Sequence, residues 1–486
     1  MVLEKEFLVD YVLAKIRNAP KLSEDRITRD GKQLSYRDGY YRIEGYVDEF
    51  LNGSKENRFI IMPGLRGLGK TTILFQIYDH LINEKKIEQN RVLYLSVDEL
   101  RAYFGGRLID VIDVFVNEIH GSSMVNLDED VFILVDESHY DKNWSLVGKI
   151  IYDNSNNIFT IFTGSSALNL EINADAARRA RKEAIYPMNF SEYLTLKRGI
   201  QPPQEASGFL LDLIFKGDKD SVEKMAKLEN EFLKESVKLS KSLKKEWENY
   251  LCCGGFPFGL NLDNIELYEG IFDMVEKVIQ KDIFILQSFK TETSSTILNI
   301  ILFLALQKSG ETSQAKLAKS LGVSSSSVKT ILDVLEKTHL IFSILPYGSA
   351  GKIVRKSWKY YFLSPSLKAA INFKFGRYAP PGDRNFLGVL TENLVASQFF
   401  KMKETMHIPR GIFYDSQKGG VDFLLENIDG TVIPVEVGVG NKNPKQVKKA
   451  MDKYKSGYGV LISNATMKTT KKKNVIYIPL NTFSLL

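Results

Sequence analysis

Short apolar runs alternate with segments of helical periodicity in the first third of the chain. Four of the runs are five or six residues long and almost entirely apolar, which is typical of strands buried on both faces of a parallel sheet. They are Arg58–Met62, Arg91–Ser96, Val131–Val135 and Asn157–Phe162. Between them, Thr71–Ile82 and Leu108–Ile119 carry apolar residues at helical spacing. This alternation predicts an α/β domain built on a parallel sheet.

The loop after the first run carries the strongest chemical signal. Residues 64 to 72 read Gly-Leu-Arg-Gly-Leu-Gly-Lys-Thr-Thr, which has the Gly-x4-Gly-Lys-Thr spacing of a phosphate-binding loop. The glycines let backbone N–H groups close around phosphates, Lys70 supplies a cation, and the Thr71 hydroxyl can ligate Mg²⁺. The sequence therefore predicts ATP and Mg²⁺ as cofactors. The expected nucleotide-binding residues are Gly64, Gly67, Gly69, Lys70, Thr71, Thr72 and Asp136.

Two further strand ends place polar residues at the same edge of the sheet, where open α/β sheets bind ligands. Asp136-Glu137 follows the third run in a Walker B pattern, so Asp136 would hold the Mg²⁺ shell and Glu137 would orient or deprotonate the attacking water. An Asp-Glu pair at a strand end is also common in helix caps. Thr163 and Ser165, in Thr163-Gly-Ser-Ser166, would sense the γ-phosphate or the water, although such a turn needs no function.

A basic run supplies candidates for an arginine finger. One of Arg178, Arg179 and Arg181 is expected to reach the γ-phosphate of a neighbouring subunit and stabilise transition-state charge. The alternative is a surface basic turn, and the sequence does not choose among the three arginines. The finger interpretation predicts a homo-oligomer.

The middle of the chain predicts helices followed by a winged helix-turn-helix. Residues 204–250 have Lys and Glu at helical spacing with Leu and Phe stripes, which indicates a helical lid or connector. Gln314–Leu321 and Ser325–Glu336 predict two helices separated by a Gly322 stop and a Ser324 cap. The strand-like segments 340–345 and 358–362 would form the wing. Residues 324–327 and Lys329 would then face DNA, unless the module serves only for packing between domains.

Three carboxylates near the C-terminus predict a second metal site. Asp422 and Glu436 lie on two strands joined by a three-residue loop, 428–430, whose Gly430 suits the left-handed conformation. That register places the two carboxylates opposite one another, and with Glu392 from the preceding helix they could bind a divalent cation for phosphodiester hydrolysis.

Length and composition indicate the number of domains, the distribution of charge and the cellular compartment. The chain of 486 residues should divide into two to four domains, because single cores stop growing well below this length. Its net charge is +6, but residues 441–486 alone hold ten Lys against one Asp, a segment suited either to a polyanion or to a solvated face. The two cysteines are adjacent, which argues for a reducing compartment and against structural zinc. An acidic N-terminus and the absence of a long apolar stretch predict a cytoplasmic, soluble protein.

Several of these segments together resemble a large prokaryotic family of AAA-type ATPases with a C-terminal domain of unknown function. They are Asp136–Trp144, Thr163–Ser166, the Arg-Arg-Ala run followed by Tyr186–Tyr193, and Tyr250–Pro257. The resemblance covers about residues 30 to 440. It implies an AAA-like domain (1–200), a helical lid (201–290), a winged helix (291–375) and a basic domain with a PD-(D/E)XK restriction-endonuclease-like fold (376–486).

One departure from that family's pattern concerns the nuclease-like domain. The resemblance implies a metal site in the order Glu392, Asp422, Glu436, followed by a lysine two residues after the last glutamate, where this chain has Gly438. Loss of that lysine argues against efficient cleavage, unless Lys418 or Lys442 substitutes for it. The alternatives are an active nuclease, a degenerate nuclease fold that binds nucleic acid, and a purely structural hairpin.

Two functional hypotheses follow from these features. The first is an ATP-hydrolysing AAA-type protein that associates with DNA through its winged helix and its basic C-terminal domain. The second is an ATP-dependent signalling switch that docks a protein partner and binds no DNA. A small-molecule kinase fits poorly, because the accessory domains offer no obvious acceptor site. Membrane association is not expected.

Overall fold

The computed structural model describes residues 5–165, 174–239, 241–287, 293–307, 311–377, 383–405 and 411–486. Ser166, part of the predicted phosphate-sensing turn, lies outside these ranges. The chain forms two compact units, residues 1–186 and 187–486. None of the helices in the described ranges combines the length and apolar character needed to cross a bilayer.

The first unit is an α/β structure. Its strands are β1 (Thr28–Arg29), β2 (Lys32–Gln33), β3 (Phe59–Pro63), β4 (Val92–Ser96), β5 (Val131–Asp136), β6 (Ile158–Gly164) and β7 (Arg181–Lys182). Its helices are α1 (Lys5–Ile27), α2 (Asp38–Leu51), α3 (Lys70–Asp79), α4 (Val97–Phe104), α5 (Leu108–Val114), α6 (Trp144–Asn154) and α7 (Ala174–Ala177). Short π-helical segments, His80–Glu84 and Phe115–Ile119, extend α3 and α5.

Strands β3 to β7 form a wholly parallel sheet, in the order β4-β5-β6-β3-β7 among the described residues. The four predicted apolar runs correspond to β3, β4, β5 and β6, with ends within two residues of the expected ones. All residues of β3, β5 and β6 are buried, as expected for central strands covered on both faces. The parallel-sheet prediction is therefore confirmed, and it places the carboxyl ends of these strands along one edge.

Several elements of the first unit were not predicted, among them helix α1 and strand β7. Helix α1 buries Leu8, Val12 and Ile16 in the same core as strand residues of β4 and β5. Strand β7 pairs with β3 through Arg181 and Lys182, inside the run interpreted from sequence as supplying an arginine finger or, alternatively, a surface basic turn. A two-residue exposed strand has no hydrophobic pattern to reveal it, because its pairing uses only backbone groups.

The second unit is a set of helices followed by a mixed sheet. Its helices are α8 (Phe190–Arg198), α9 (Ala206–Lys216), α10 (Asp220–Glu235), α11 (Leu243–Cys253), α12 (Asn264–Lys277), α13 (Ile283–Leu286), α14 (Thr293–Leu306), α15 (Gln314–Leu321), α16 (Ser325–Lys337), α17 (Ala350–Arg355), α18 (Pro365–Lys374), α19 (Arg384–Thr405), α20 (Lys445–Tyr454) and α21 (Leu480–Phe483). Its strands are β8 (Glu311–Thr312), β9 (Ile341–Pro346), β10 (Trp358–Phe362), β11 (Gly411–Tyr414), β12 (Phe423–Glu426), β13 (Val432–Gly438), β14 (Gly459–Ser463), β15 (Thr470–Lys472) and β16 (Val475–Pro479).

The predicted helix-turn-helix segment contains the expected helices. Helix α15 ends at Gly322, which is left-handed with φ 66°, and Ser324 caps α16 by accepting a hydrogen bond from the Ser327 N–H. The two expected wing segments form β9 and β10, which pair antiparallel. The segment between them includes α17.

A single mixed sheet joins segments that were predicted to belong to separate domains. In the described residues its strand order is β15-β16-β14-β13-β12-β11-β9-β10-β8. Strand β9, before the predicted boundary at 375/376, pairs in parallel with β11, after it, through Leu345 and Phe413. Hydrogen bonds therefore connect the predicted wing to the C-terminal sheet.

Candidate active site

The phosphate-binding loop lies between β3 and α3 and depends on its glycines. A Cβ on Gly64 would lie 2.6 Å from the carbonyl oxygen of Ile185, so no larger residue fits there without movement. Gly67 and Gly69 have φ of 77° and 84°, the left-handed region that other residues rarely adopt. Gly69 immediately precedes α3. The loop therefore turns the backbone directly into a helix N-terminus, which favours bound anions.

Two buried cations hold the loop in this shape. Lys70, the first residue of α3, donates from Nζ to the carbonyl oxygens of Gly64 at 2.8 Å and Leu65 at 2.9 Å. Arg37, which the sequence did not suggest, donates from Nη1 to the Leu68 carbonyl at 2.7 Å. The Lys70 ammonium group thus lies against the loop itself, where it can exchange carbonyl oxygens for phosphate oxygens.

Asp136 lies at the centre of the site. At the end of β5, it accepts a hydrogen bond from the Thr71 hydroxyl at 2.6 Å and one from the Thr163 hydroxyl. The hydroxyl of Tyr94, on β4, also donates to this carboxylate at 3.4 Å. The sequence analysis missed Tyr94, because the pattern of a strand that is apolar throughout does not show which of its side chains face the site. A buried carboxylate beside a threonine hydroxyl offers the oxygen ligands that Mg²⁺ prefers, so these residues fit the ion.

Glu137 has a distinctive local environment. Its backbone is left-handed, with φ 52°, a conformation that is uncommon for residues other than glycine. Its Oε1 lies 3.8 Å from Nη1 of Arg66, and its Oε2 lies 3.5 Å from Nδ1 of His139. Burial, with the positive charges of Arg66 and Lys70, lowers the pKa of His139 to about 3, so this imidazole is neutral at pH 7. At pH 7, Arg66 is therefore a charged neighbour of this carboxylate and His139 is a neutral one.

Thr163 is the penultimate residue of β6, which pairs with β5, and Ser165 directly follows β6. The Thr163 hydroxyl contacts Asp136 and accepts from the backbone N–H of Glu137 at 3.3 Å. The Ser165 N–H donates to Nδ1 of His139 at 3.4 Å. The buried Ser165 hydroxyl has no hydrogen-bond partner among the described residues, so it is available to a ligand. Thr72 follows Thr71 in the first turn of α3 and is half-buried.

The three candidate finger arginines lie elsewhere in the first unit. Arg179 pairs with Asp153, and Arg181 donates to the Tyr46 hydroxyl at 2.9 Å. Arg181 pairs with Ile60, three positions before the end of β3, and so lies below the phosphate-binding edge. Arg178 is exposed. The structure does not bring these arginines together with Lys70 and Asp136 of their own chain.

The three C-terminal carboxylates form a second cluster, in which Glu436 is buried and Glu392 and Asp422 are partly buried. Pairing of β12 with β13 runs through Phe423 with Val435, so the next pair outward is Asp422 with Glu436, the register predicted from the turn. Glu392, on α19, accepts hydrogen bonds from Tyr361 at 2.8 Å and Lys359 at 3.3 Å. Burial, reinforced by the nearby charges of Glu392 and Glu436, raises the pKa of Asp422. The three carboxylates are therefore near enough to one another to interact electrostatically.

Of the two lysines named from the sequence as substitutes for the missing motif lysine, one contacts this cluster. Lys442 donates from Nζ to Oε1 of Glu436 at 2.9 Å, whereas Lys418 is exposed. A Cβ on Gly438 would lie 2.2 Å from Cε of Lys442, so the missing side chain at 438 provides the space that the Lys442 stem occupies. The other Glu436 oxygen, Oε2, is buried without a hydrogen-bond partner in the described part of the chain.

The parallel sheet, its glycine loop and the residues around Asp136 define an AAA-type P-loop ATPase fold. The family described as "AAA domain" matches residues 56–194. Two further matches are to domains of unknown function, DUF8612 over residues 244–376 and DUF4143 over residues 387–483.

Comparison with known proteins places the whole chain in a family. It is 36% identical over 480 residues to the uncharacterized protein MJ1637 of Methanocaldococcus jannaschii, covering 99% of this chain and 94% of that protein. The chain belongs to the same family as MJ1637. It is also 22% identical over 409 residues to MJ1544 of the same organism, covering 82% of this chain and 78% of MJ1544.

Among solved structures, the Walker-type ATPase PABY2304 of Pyrococcus abyssi matches with a TM-score of 0.40 and 15% identity. That match covers 71% of this chain and 97% of the Pyrococcus chain.

Proposed function

We propose that this protein binds Mg-ATP and hydrolyses it. The observation that carries the proposal is the 2.6 Å contact between the Thr71 hydroxyl and Asp136, at the sheet edge that also holds Lys70 and Glu137. Bound Mg²⁺ would neutralise charge on the phosphate oxygens, held by Thr71 directly and by Asp136 through water. No other part of the described chain combines a glycine loop, a buried lysine and a Walker B carboxylate pair.

Each residue of the site has a distinct proposed task. Lys70 would transfer its ammonium group from the loop carbonyls to the phosphates, and loop N–H groups would bind the same oxygens. Glu137 would orient the attacking water and accept its proton, because its carboxylate is next to Asp136 and is not engaged by a charged imidazole. Thr163 and Ser165 would sense the γ-phosphate or the attacking water through their hydroxyls.

Two substitutions test this assignment. Lys70→Ala should weaken ATP binding by at least about tenfold, since it removes a charge-assisted contact to phosphate. Glu137→Gln should bind ATP with unchanged affinity but hydrolyse it at least about 100-fold more slowly. Lys142→Ala and Glu88→Gln, at exposed positions of the same unit, are matched controls and should behave like the wild type. Normal turnover by Glu137→Gln would remove the proposed role of this carboxylate.

We propose further that the protein associates with DNA through a winged helix formed by residues 311–362 and through the basic C-terminal segment. Residues 324–327 and Lys329, at the start of α16, are exposed, while Val328, Ile331 and Leu332 are buried. This leaves hydroxyls and a cation on the outer face of the second helix, as groove contact would require. On α20, exposed Lys445, Lys449 and Lys453 provide a second positive face.

Binding to a labelled duplex, measured by fluorescence anisotropy across a salt series, tests this association. The double variant Lys445→Ala, Lys449→Ala should bind all DNA sequences more weakly to the same extent. The slope of the logarithm of its binding constant against the logarithm of the salt concentration should decrease in magnitude by about one per lost phosphate contact. Lys244→Ala, at an exposed position of the helical region, is the control. No binding at low salt would favour the alternative, an ATP-dependent switch that docks a protein partner.

The contact between Lys442 and Glu436 favours a second activity, metal-dependent cleavage of phosphodiester bonds. Glu392, Asp422 and Glu436 would hold the divalent cation, and the C-terminal sheet would be a nuclease-like fold. The Lys442 ammonium, 2.9 Å from Glu436, would stabilise developing charge in place of the lysine missing at position 438. Labelled duplex incubated with Mg²⁺ or Mn²⁺ should be cut by the wild type and left intact by Asp422→Asn. Binding without cleavage would identify a degenerate nuclease fold.

A homo-oligomer is the remaining proposal. Within the described residues, ion pairs engage Arg179 and Arg181 but not the exposed Arg178, which would be presented to a neighbouring subunit. Light scattering with and without ATP would establish the number of subunits.

A further inference from the structure

Arg66 is a charged residue inside the phosphate-binding loop, between Gly64 and Gly69. Its Nη1 lies 3.8 Å from Oε1 of Glu137, and its Nη2 donates to the Tyr140 hydroxyl at 3.0 Å. The side chains of Arg66 and Glu137 are only 19% and 20% exposed. An arginine of this loop therefore lies next to the proposed catalytic carboxylate, and largely out of water.

The position of the γ-phosphate follows from the residues around it. It must contact the loop and the Lys70 ammonium on one side, and Mg²⁺ held by Thr71 and Asp136 on another. The attacking water must lie between the γ-phosphorus and Glu137. A guanidinium 3.8 Å from Glu137, carried by the loop itself, borders the same space.

We propose that Arg66 binds the γ-phosphate of ATP in its own chain and stabilises the charge that develops on it during hydrolysis. This inference rests on the proposed ATPase function. Without nucleotide, the guanidinium lies beside the Glu137 carboxylate and donates to the Tyr140 hydroxyl. With ATP bound, the guanidinium donates two N–H groups to γ-phosphate oxygens, the geometry in which arginine binds phosphate best.

The reaction balances with the groups already named. The water oxygen forms a bond to the γ-phosphorus and its proton passes to Glu137. The bond from the γ-phosphorus to the bridging oxygen breaks, and the electron pair leaves with ADP. Arg66 takes no proton and forms no covalent bond. It lowers the barrier by placing positive charge where negative charge is redistributed over the phosphoryl oxygens.

Arg66 would act within its own chain, whereas the arginines expected from the sequence would act on a neighbouring subunit. Arg179 and Arg181 already have partners in their own chain, and Arg181 lies below the phosphate-binding edge. A finger supplied by a neighbouring subunit requires assembly, whereas Arg66 requires none. The contribution of Arg66, measured as the ratio of the wild-type rate to the Arg66→Ala rate, is therefore expected to be independent of protein concentration.

The test begins with ATP turnover by the full-length wild type, and no turnover would refute the ATPase function rather than the role of Arg66. In Arg66→Ala, kcat should fall at least about 100-fold, because arginines in this role contribute roughly 10³- to 10⁵-fold. Binding of ADP should stay within about threefold of the wild type, while binding of ADP with aluminium fluoride, which resembles the transferring phosphoryl group, should be lost. Arg66→Lys should recover part of the rate. Arg101→Ala, at an exposed position, is the control.

Mixing two inactive variants separates action within a chain from action between chains. Lys70→Ala keeps Arg66 but binds ATP poorly, and Arg66→Ala binds ATP but lacks the guanidinium. If Arg66 acts within its own chain, the mixture is no more active than the sum of its parts. Restored turnover on mixing would overturn the proposal, as would a kcat of Arg66→Ala that is within about threefold of the wild type or above it.

Discussion

His139 connects the chemistry of the nucleotide site to the stability of the first unit. Its side chain is fully buried, with 0% exposure, two residues after Glu137. Burial and the charges of Arg66 and Lys70 lower its pKa from 6.5 to about 3. Replacement by asparagine keeps an acceptor near the Ser165 N–H, which donates to Nδ1 at 3.4 Å, and removes the titrating group.

The sign and size of the effect follow from linkage. The folded-state pKa lies below the unfolded-state value, so the unfolded chain binds the proton first as the pH falls. The contribution of His139 to stability is therefore complete above pH 6.5 and is lost progressively as the pH falls towards about 3. Below the unfolded-state pKa, the contribution of His139 to the free energy of unfolding falls by about 1.4 kcal/mol per pH unit. Its total decrease between pH 7 and pH 5 is therefore about 2 kcal/mol.

Urea unfolding followed by tryptophan fluorescence measures this difference. The chain has three tryptophans, and with Trp247→Phe and Trp358→Phe the buried Trp144 on α6 is the sole reporter, which isolates the first unit. In this background the free energy of unfolding should fall by about 2 kcal/mol more between pH 7 and pH 5 with His139 than with His139→Asn. Other titrating groups are common to both proteins and cancel in the comparison.

An equal pH dependence in the two proteins would refute this reasoning. It would mean that His139 accepts a proton in the folded state near its ordinary pKa, with Glu137 as its counter-ion. The carboxylate would then be engaged by a second cation, and the proposed base role would need revision.

Two further predictions concern packing and the second site. Gly148→Ala on α6 would place a Cβ 2.3 Å from the ring of Phe59, so the same fluorescence assay should show a loss of about 1–3 kcal/mol, whereas Gly45→Ala on α2, with nothing within 4 Å, should not be destabilising. Lys442→Met should abolish Mn²⁺-dependent DNA cleavage, while isothermal titration calorimetry should still detect Mn²⁺ binding. The control variant Lys418→Met, at an exposed position, should cleave DNA normally. Unchanged cleavage by Lys442→Met would contradict the proposed role of Lys442.

The elements that sequence predicted well are those with a strong local signal. Strands β3 and β5 are unbroken apolar runs of five or six residues. Few structures other than a strand that is buried on both faces suit such a short, fully apolar run. The hairpin register was predictable because Gly430, with φ 79°, fixes the turn and the turn fixes every pair beyond it. Spacing alone likewise identified the phosphate-binding loop.

The features that sequence did not show depend on contacts between distant residues. The parallel pairing of β9 with β11 joins segments nearly 70 positions apart, and no local pattern specifies it. The sequence named both Lys418 and Lys442 as substitutes for the missing lysine and did not choose between them, because the choice depends on the space that Gly438 leaves for the Lys442 stem beside Glu436. Arg66 occupies a variable position of the loop motif, and its significance comes from Glu137, which the fold brings beside it.

A single-turnover reaction tests the central claim most directly. Excess full-length protein is mixed with γ-labelled ATP and Mg²⁺, and bound nucleotide and released phosphate are followed together for the wild type and Glu137→Gln. Both proteins should bind the ATP, and the wild type should release labelled phosphate while Glu137→Gln retains intact ATP at least about 100 times longer. Equal rates of phosphate release, or no ATP bound by either protein, would contradict the account of this site.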